Sequence, residues 1–207
     1  MLFRSTIAKL VAKEKGYIYV DTGAMYRGMA IHFLDKGIRA KETDKIISAL
    51  KDAEVTIRYE EGLQQVYLNG RNITDRLREE EVGKMASLTS AIPQVRQKLL
   101  ELQKGLARTQ DVIMDGRDIG TCVLPDADVK IYLTASVETR AKRRYDELTE
   151  KGIACDLDEI ERDIKERDER DSTREIAPLK QAEDAVLIDS SHMTIDEVVA
   201  AIVKLCR

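Results

Sequence analysis

Two short segments of the chain combine aspartate, arginine and glycine in patterns that suit phosphate chemistry. Asp21–Arg27 (DTGAMYR) and Asp115–Gly120 (DGRDIG) each follow a short apolar run. Ligands of open α/β sheets bind beyond the carboxyl ends of strands, where we expect both segments. An aspartate there can hold hydrated Mg²⁺, and an arginine can form paired hydrogen bonds with a phosphate. Thr22 can cap the next helix or donate to an oxyanion. The alternative for either segment is a capped helix or a turn with a local ion pair.

A third segment, from Arg140 to Arg174, is rich in arginine. Most of its charges are typical of a solvated helix face with weak ion pairs. Spacings of three, four and seven, however, place four charged residues on one side of a helix. They are Arg167, Arg170, Asp171 and Arg174. Such a row can neutralise a triphosphate, whereas acidic neighbours and the lack of interleaved aromatic residues oppose RNA binding.

The elements that position these segments follow from hydrophobic periodicity. Apolar runs predict buried strands at residues 17–20, 112–114, 129–133 and 185–188. Amphipathic stretches predict helices at residues 5–15, 24–36, 43–53, 79–91, 93–108, 136–151, 157–170 and 194–206. Alternating residues and an Asn69-Gly70 turn predict a small antiparallel sheet at about 54–74. Strands that alternate with long helices indicate an α/β fold with a parallel sheet.

The composition of the 207-residue chain excludes several classes of protein. Hydrophobic residues make up 43% and charged residues 35%, with a formal net charge of −4. No run approaches the ~18 apolar residues of a membrane-spanning helix, and a nucleic-acid binder would normally be basic. Three separated cysteines and two separated histidines favour neither a disulfide framework nor a zinc site. We therefore expect a cytoplasmic protein with no membrane and no nucleic-acid partner.

Together these segments resemble the bacterial cytidylate kinases, which are P-loop nucleoside monophosphate kinases. The resemblance extends from about Ser5 to the C-terminus. It rests on residues 21–27, 68–70 (LNG), 73–75 (ITD), 92–96 (IPQVR), 115–120, 124–127 (LPDA) and 166–178 (ERDERDSTREIAP). It implies a P-loop kinase-like three-layer α/β/α fold, with residues 1–207 as a single kinase domain. Residues 21–90 would form the monophosphate-binding part that contains the antiparallel insert, and residues 143–155 a short lid.

The resemblance also implies an activity and roles for individual residues. The activity is transfer of the ATP γ-phosphoryl group to CMP or dCMP with Mg²⁺, by a monomer. The implied readers of the cytosine edge are Ser87, Arg96 and Asp118. The implied ligands of the CMP phosphate are Thr22, Arg27, Arg117 and Arg174, with Gly23 and Tyr26 beside them, and the sugar contacts are Arg167 and Asp171. The implied catalytic residues are Arg143, Arg144, Arg167, Arg170 and Asp115.

The first residues of the chain depart from the family pattern. The family opens with a buried strand and a glycine-rich loop ending in GK[ST], whose backbone N–H groups surround phosphates. Here Arg4, Ser5 and Thr6 occupy the ATP-phosphate positions, and no glycine precedes them. Ser5 would bind Mg²⁺ together with Asp115. We therefore expect the central first strand and most of the P-loop to be absent and the kinase activity to be lowered. Two explanations stay open: a shortened form of an ordinary kinase, or a product that has lost ATP handling.

Other functions fit parts of the pattern. A non-catalytic CMP-binding protein would retain Arg27, Arg96 and Arg174 and ignore ATP, but the lid arginines oppose it. A kinase of another small metabolite is disfavoured by the set of residues expected to read cytosine and by the insert. A structural protein whose sheet accepts a partner strand is the third alternative, and no residue favours it.

Overall fold

The computed structural model describes residues 2–206, except for the side chain of Leu2. Within this range the helices are α1 (Leu2–Lys15), α2 (Thr22–Asp35), α3 (Thr43–Ala49), α4 (Glu80–Thr89), α5 (Pro93–Thr109), α6 (Val137–Glu150), α7 (Leu157–Thr173) and α8 (Ile195–Leu205). The strands are β1 (Ile18–Asp21), β2 (Val55–Glu60), β3 (Leu63–Leu68), β4 (Arg71–Asn72), β5 (Val112–Asp115), β6 (Ile131–Thr134) and β7 (Val186–Asp189). No helix in the described range is long and apolar enough to span a membrane.

The chain divides into two compact units. Ile18–Gly116 form the middle unit. The described residues up to Tyr17 and from Arg117 onward form the terminal unit. The predicted boundaries of a single kinase domain, its 21–90 part and its 143–155 lid stay predictions.

The middle unit is built around α2, which follows β1 directly. Strand β1 pairs in parallel with β5, in a register that runs from Ile18↔Val112 to Asp21↔Asp115. The antiparallel sheet β2–β3–β4 packs against α2. Met25, Met29 and Phe33 of α2 are completely buried in the core of this unit. The packing therefore fixes α2 relative to the ends of β1 and β5.

The terminal unit contains the second parallel pair, β6–β7. Helix α6 packs on α7, and α1 packs on α8. Ile7 and Val11 of α1 and Val198 of α8 are buried. Helix α8 begins with a capping box, in which the Thr194 side chain and the Glu197 side chain each accept the other residue's backbone N–H. The mutual packing of α6 and α7 positions the two helices that carry most of the arginine-rich segment.

The predicted α/β class, with parallel strands and a small antiparallel sheet, is confirmed. The predicted Asn69-Gly70 turn is present, and both residues have the positive φ that such a turn requires (49° and 78°). The parallel strands, however, form two separate pairs rather than one sheet. The reason is that no strand within residues 2–206 is hydrogen-bonded to both pairs.

Three local features differ from the sequence prediction. The cap of α2 is Asp21 rather than Thr22, because Asp21 Oδ1 accepts the Ala24 N–H at 3.1 Å. The segment after Asp118 is more than a turn, since Ile119–Val123 form a π-helical turn. Helix α1 begins before Ser5, so the residues predicted to bind ATP phosphates lie within a helix.

Candidate active site

The carboxyl ends of β1 and β5 lie side by side in the middle unit. Asp21 and Asp115 are register partners at these ends. Thr22 Oγ1 donates to the Asp115 backbone oxygen at 2.8 Å, and this bond ties the start of α2 to the end of β5. The Tyr19 hydroxyl donates to Asp115 Oδ2 at 3.5 Å. A pair of strand ends next to a helix N-terminus is a favourable position for an anionic ligand.

Gly23 and Arg27 make the start of α2 suitable for a phosphate. A side chain at position 23 would place its Cβ atom only 3.1 Å from Asp21 Oδ1. Glycine therefore avoids crowding the Asp21 carboxylate that caps α2. Burial lowers the pKa of the Arg27 guanidinium, and the nearby Asp21 carboxylate acts in the opposite direction. The guanidinium still stays charged, because arginine ordinarily titrates above pH 12.

The two middle-unit residues predicted to read cytosine are linked through Ser90. Arg96, near the start of α5, donates to the Ser90 backbone oxygen at 3.1 Å. Ser90 Oγ in turn donates to the Ser87 backbone oxygen at 3.0 Å. Ser87 Oγ is buried and has no hydrogen-bond partner among the described residues. Since an unsatisfied buried hydroxyl is costly, a bound polar ligand would stabilise this position. The Arg96 guanidinium lies over the Tyr26 ring, and its central carbon is 5.6 Å from the ring centroid.

Asp171 of α7 is the centre of an arginine cluster in the terminal unit. Arg117 Nε donates to Asp171 Oδ2 at 2.8 Å. Arg167 Nε lies 3.8 Å from the same oxygen, and Arg174 Nη1 lies 3.8 Å from Asp171 Oδ1. The other Arg174 nitrogen, Nη2, is 3.9 Å from Asp118 Oδ1. The structure thus brings together five residues that the sequence assigned to substrate.

Guanidinium groups outnumber carboxylates in this cluster. Burial, followed by repulsion from Arg4, lowers the pKa of Arg117, and Asp171 opposes this shift. An excess of buried positive charge attracts phosphate oxygens, with which guanidinium groups can form paired hydrogen bonds.

Arg143 of α6 makes contacts within the terminal unit that the sequence did not indicate. Its Nη2 donates to the Ser190 backbone oxygen at 2.6 Å. Its guanidinium carbon lies 3.6 Å from the centroid of the Phe3 ring, which is a cation–π contact. Burial lowers the pKa of Arg143. The predicted role of Arg143 at the transferred phosphoryl group stays a prediction.

The remaining predicted residues lie outside the Asp171 contacts. Arg144 forms an ion pair of 3.0 Å with Glu147 on the same helix, and Arg170 is exposed on α7. Ser5 and Thr6 are half-buried on α1. Their predicted roles at ATP and Mg²⁺ stay predictions.

Two residues that sequence reasoning missed contact the end of β1. Gln64 exchanges two hydrogen bonds with the backbone of Asp21, and the Tyr59 hydroxyl donates to the Tyr19 backbone oxygen. The signal was present in the alternation of β3. Gln64 shares a face with the buried residues Val66 and Leu68, which is an unusual position for an amide side chain.

The oxygen donors of the site suit Mg²⁺. Within residues 2–206, no three histidine, cysteine or acidic residues form a group that could hold a metal ion. Mg²⁺ in phosphoryl-transfer sites is usually held by one or two protein oxygens, with water and phosphates completing its shell. Asp115, half-buried at the end of β5 in the middle unit, offers such an oxygen. The Ser5 hydroxyl, the other predicted ligand, belongs to the terminal unit.

Known proteins were compared with this chain. A family model described as cytidylate kinase matches residues 3–207. The chain is 48% identical to the cytidylate kinase of Caldicellulosiruptor saccharolyticus over 202 residues, which is 98% of this chain and 89% of that protein. It is also 48% identical to the cytidylate kinase of Lactobacillus johnsonii over 204 residues, 99% of this chain and 89% of that protein. A Geobacillus cytidylate kinase is 45% identical over 98% of this chain and 90% of its own length.

These matches and the α/β fold define the class of protein as a nucleoside monophosphate kinase. More particularly, the chain belongs to the cytidylate kinase family. The resemblance inferred from the sequence is thereby confirmed.

Proposed function

We propose that this protein transfers the γ-phosphoryl group of ATP to CMP or dCMP, which gives ADP and CDP or dCDP. An oxygen of the acceptor phosphate forms a bond to the γ-phosphorus, and the bond to the bridging oxygen of ADP breaks. The observation that supports the proposal most directly is the arginine cluster at Asp171, in a chain that belongs to the cytidylate kinase family.

Positioning and charge stabilisation are the main requirements of this chemistry. In the middle unit, the Thr22 hydroxyl and the Arg27 guanidinium would bind phosphate oxygens. Ser87 and Arg96 would supply a hydroxyl and a guanidinium to the polar edge of cytosine. The buried Ser87 Oγ, which has no hydrogen-bond partner among the described residues, supports this assignment.

In the terminal unit, Arg117 and Arg174 would bind phosphate oxygens, and Asp118 would accept from the cytosine amino group. Asp171 would hold these arginines in place and contact the sugar with Arg167. The guanidinium charges of Arg143, Arg144 and Arg170 would neutralise the transferred group. The ATP phosphates would be bound by the Arg4 guanidinium and the hydroxyls of Ser5 and Thr6. Mg²⁺, held through Asp115 and Ser5, would neutralise phosphate charge when bound.

A coupled assay of ADP formation with ATP, Mg²⁺ and CMP tests the proposal. We expect CMP and dCMP to be phosphorylated much faster than AMP. Arg174→Ala should raise the KM for CMP at least tenfold, because a buried charged contact is lost. Arg162→Ala is the control, since Arg162 is exposed on α7, the helix that ends just before Arg174, and the change should leave the KM unchanged. Equal KM values for the two variants would contradict the assignment of Arg174.

A non-catalytic CMP-binding protein is the second candidate function. The observation that favours it is the engagement of Arg143 by the Phe3 ring and the Ser190 carbonyl, which occupies a guanidinium proposed to act on the phosphoryl group. CMP binding without CDP formation would support this candidate. The lowered activity expected from the N-terminal residues stays a prediction that the same assay tests.

A further inference from the structure

Strand β1 has a second edge whose backbone groups need partners. The Ile18 N–H donates to the Asp111 backbone oxygen at 2.9 Å, so Ile18 faces β5. Because successive residues of a strand alternate, Tyr19 and Asp21 direct their backbone groups away from β5. Buried backbone groups without partners are costly, and β1 is the strand that leads into the proposed phosphate-binding turn.

Two side chains of the antiparallel insert form hydrogen bonds with the backbone at this edge of β1. The Asp21 N–H donates to Gln64 Oε1 at 2.9 Å, and Gln64 Nε2 donates to the Asp21 carbonyl at 3.1 Å. The Tyr59 hydroxyl donates to the Tyr19 carbonyl at 3.2 Å. Tyr59 and Gln64 are direct cross-strand partners on β2 and β3. One cross-strand pair therefore takes up three backbone groups that would otherwise need an adjacent strand.

The Gln64 amide does what a neighbouring peptide group would do. It supplies one acceptor and one donor to the same residue, from the separate oxygen and nitrogen atoms of one planar amide group. Burial raises the pKa of Tyr59 to about 12, so its hydroxyl stays a donor at any pH at which the protein would work. Neither contact therefore depends on a group that titrates near neutral pH.

Asp21 connects this edge to the binding residues. Its side chain caps α2 through the Ala24 N–H, and the next residue, Thr22, bonds to the end of β5. A change in the backbone at Asp21 would move Thr22 first, and then Arg27 one turn later on α2. We propose that Gln64, together with Tyr59, is a positioning residue that fixes the β1–α2 turn for acceptor-phosphate binding. The identity of the acceptor as CMP rests on the proposed function.

Neighbouring glutamines of β3 provide a matched experiment. Gln65 lies on the opposite face of β3, and its Oε1 accepts from the Asn72 side chain at 3.3 Å. Gln64→Ala should raise the KM for CMP about tenfold, the effect of one to two ordinary hydrogen bonds, and should leave the KM for ATP within twofold. Gln65→Ala should change neither constant. A purely structural role would instead lower the active fraction, and hence kcat, without this difference between the two KM values.

A second variant retains the side-chain volume, so that misfolding cannot explain the result. Gln64→Glu can still accept the Asp21 N–H, but its carboxylate faces the Asp21 carbonyl and cannot donate to it. It should therefore show the same selective rise in the KM for CMP. Hydrogen exchange at the Asp21 amide is a readout that does not need activity. We expect exchange to be faster in Gln64→Ala than in Gln65→Ala.

The outcomes separate this inference from the proposed function. If CDP forms but the Gln64 and Gln65 variants have equal KM values for CMP, the positioning role is overturned and the proposed function stands. If no CDP forms and no CMP binds, the proposed function fails. In that case faster exchange at Asp21 in Gln64→Ala supports the role of Gln64 at the turn, and unchanged exchange overturns it.

Discussion

At the scale of single residues, Asp171 is the carboxylate that three arginines of the terminal unit approach. Its side chain is only 8% exposed, and Arg117 donates to it at 2.8 Å. Asp171→Asn removes the negative charge and weakens this bond, so we expect unfolding free energy to fall by about 1.5–3 kcal/mol. Urea denaturation of the purified protein measures the change.

Asp168→Asn is the control for Asp171, because it removes a carboxylate from the same helix. Asp168 pairs with Arg140 at 2.6 Å, but both side chains are about one-third exposed. Exposed pairs contribute less than about 1 kcal/mol. A loss at Asp168 equal to that at Asp171 would contradict a central role for the buried cluster.

His32 should make the stability of the middle unit depend on pH. This side chain of α2 is 5% exposed, and its Nε2 lies 3.0 Å from the Ala49 backbone oxygen. Burial lowers the pKa of His32 in the folded protein. The unfolded chain, with an ordinary pKa of about 6.5, then binds a proton more readily than the folded chain. Stability is thus fully present above pH about 6.5 and decreases as the pH falls toward the folded pKa.

Unfolding midpoints in urea, measured across this pH range, test the His32 prediction. His32→Gln retains a donor for Ala49 and cannot be protonated, so its midpoint should decrease less on acidification. His192→Gln, at an exposed position, should behave as the unsubstituted protein does. Parallel curves for His32→Gln and the unsubstituted protein would show that another group is responsible.

At the scale of elements, α2 depends on a glycine where it meets the antiparallel sheet. A Cβ atom at Gly28 would lie 3.4 Å from side-chain carbons of Val55 and Val66. Gly28→Leu should therefore separate α2 from β2 and β3 and reduce the unfolding free energy by about 1–3 kcal/mol. Gly105→Leu on α5 is the control, because the space around an added Cβ there is open. Equal stability of the two variants in thermal denaturation would refute this packing.

Element types and their order were predictable, because hydrophobic periodicity determined them. The strands at residues 18, 112, 131 and 186 begin within two residues of the predicted positions. The π-helical turn at 119–123 was not predictable. Its hydrogen bond from the Leu124 N–H to the Ile119 oxygen leaves no periodic pattern of apolar residues in the sequence. Lys130, ten residues beyond Gly120, packs its stem against this turn, and its Nζ donates to Asp184 and to the Pro125 carbonyl.

The composition of the candidate site was predictable only where residues shared a helix face or followed a strand. Their spacing predicted that Arg167, Asp171 and Arg174 lie on one side of a helix. In the structure, a nitrogen of each arginine lies within 4 Å of the Asp171 carboxylate. The contact of Arg143 with Phe3 and Ser190 could not be predicted, because it joins three parts of the chain that are remote in sequence. Sequence spacing carries no information about such pairs.

At the scale of the whole molecule, each unit holds its own set of the groups that we propose to bind phosphate. The middle unit presents Thr22, Gly23 and Arg27 at a helix start, and the terminal unit presents the Asp171 cluster. The Gln64 contact indicates that the insert has a second role besides closing the middle unit's core, since it supports the strand that ends at Asp21. Membership of the cytidylate kinase family explains why both sets occur in one chain.

The most direct test of this account is identification of the nucleotide products formed from ATP and Mg²⁺ with CMP, dCMP or AMP as acceptor. The account predicts CDP or dCDP in amounts equal to the ADP released, and much less product with AMP. Release of ADP that does not depend on CMP, or phosphorylation of AMP as fast as CMP, would contradict it.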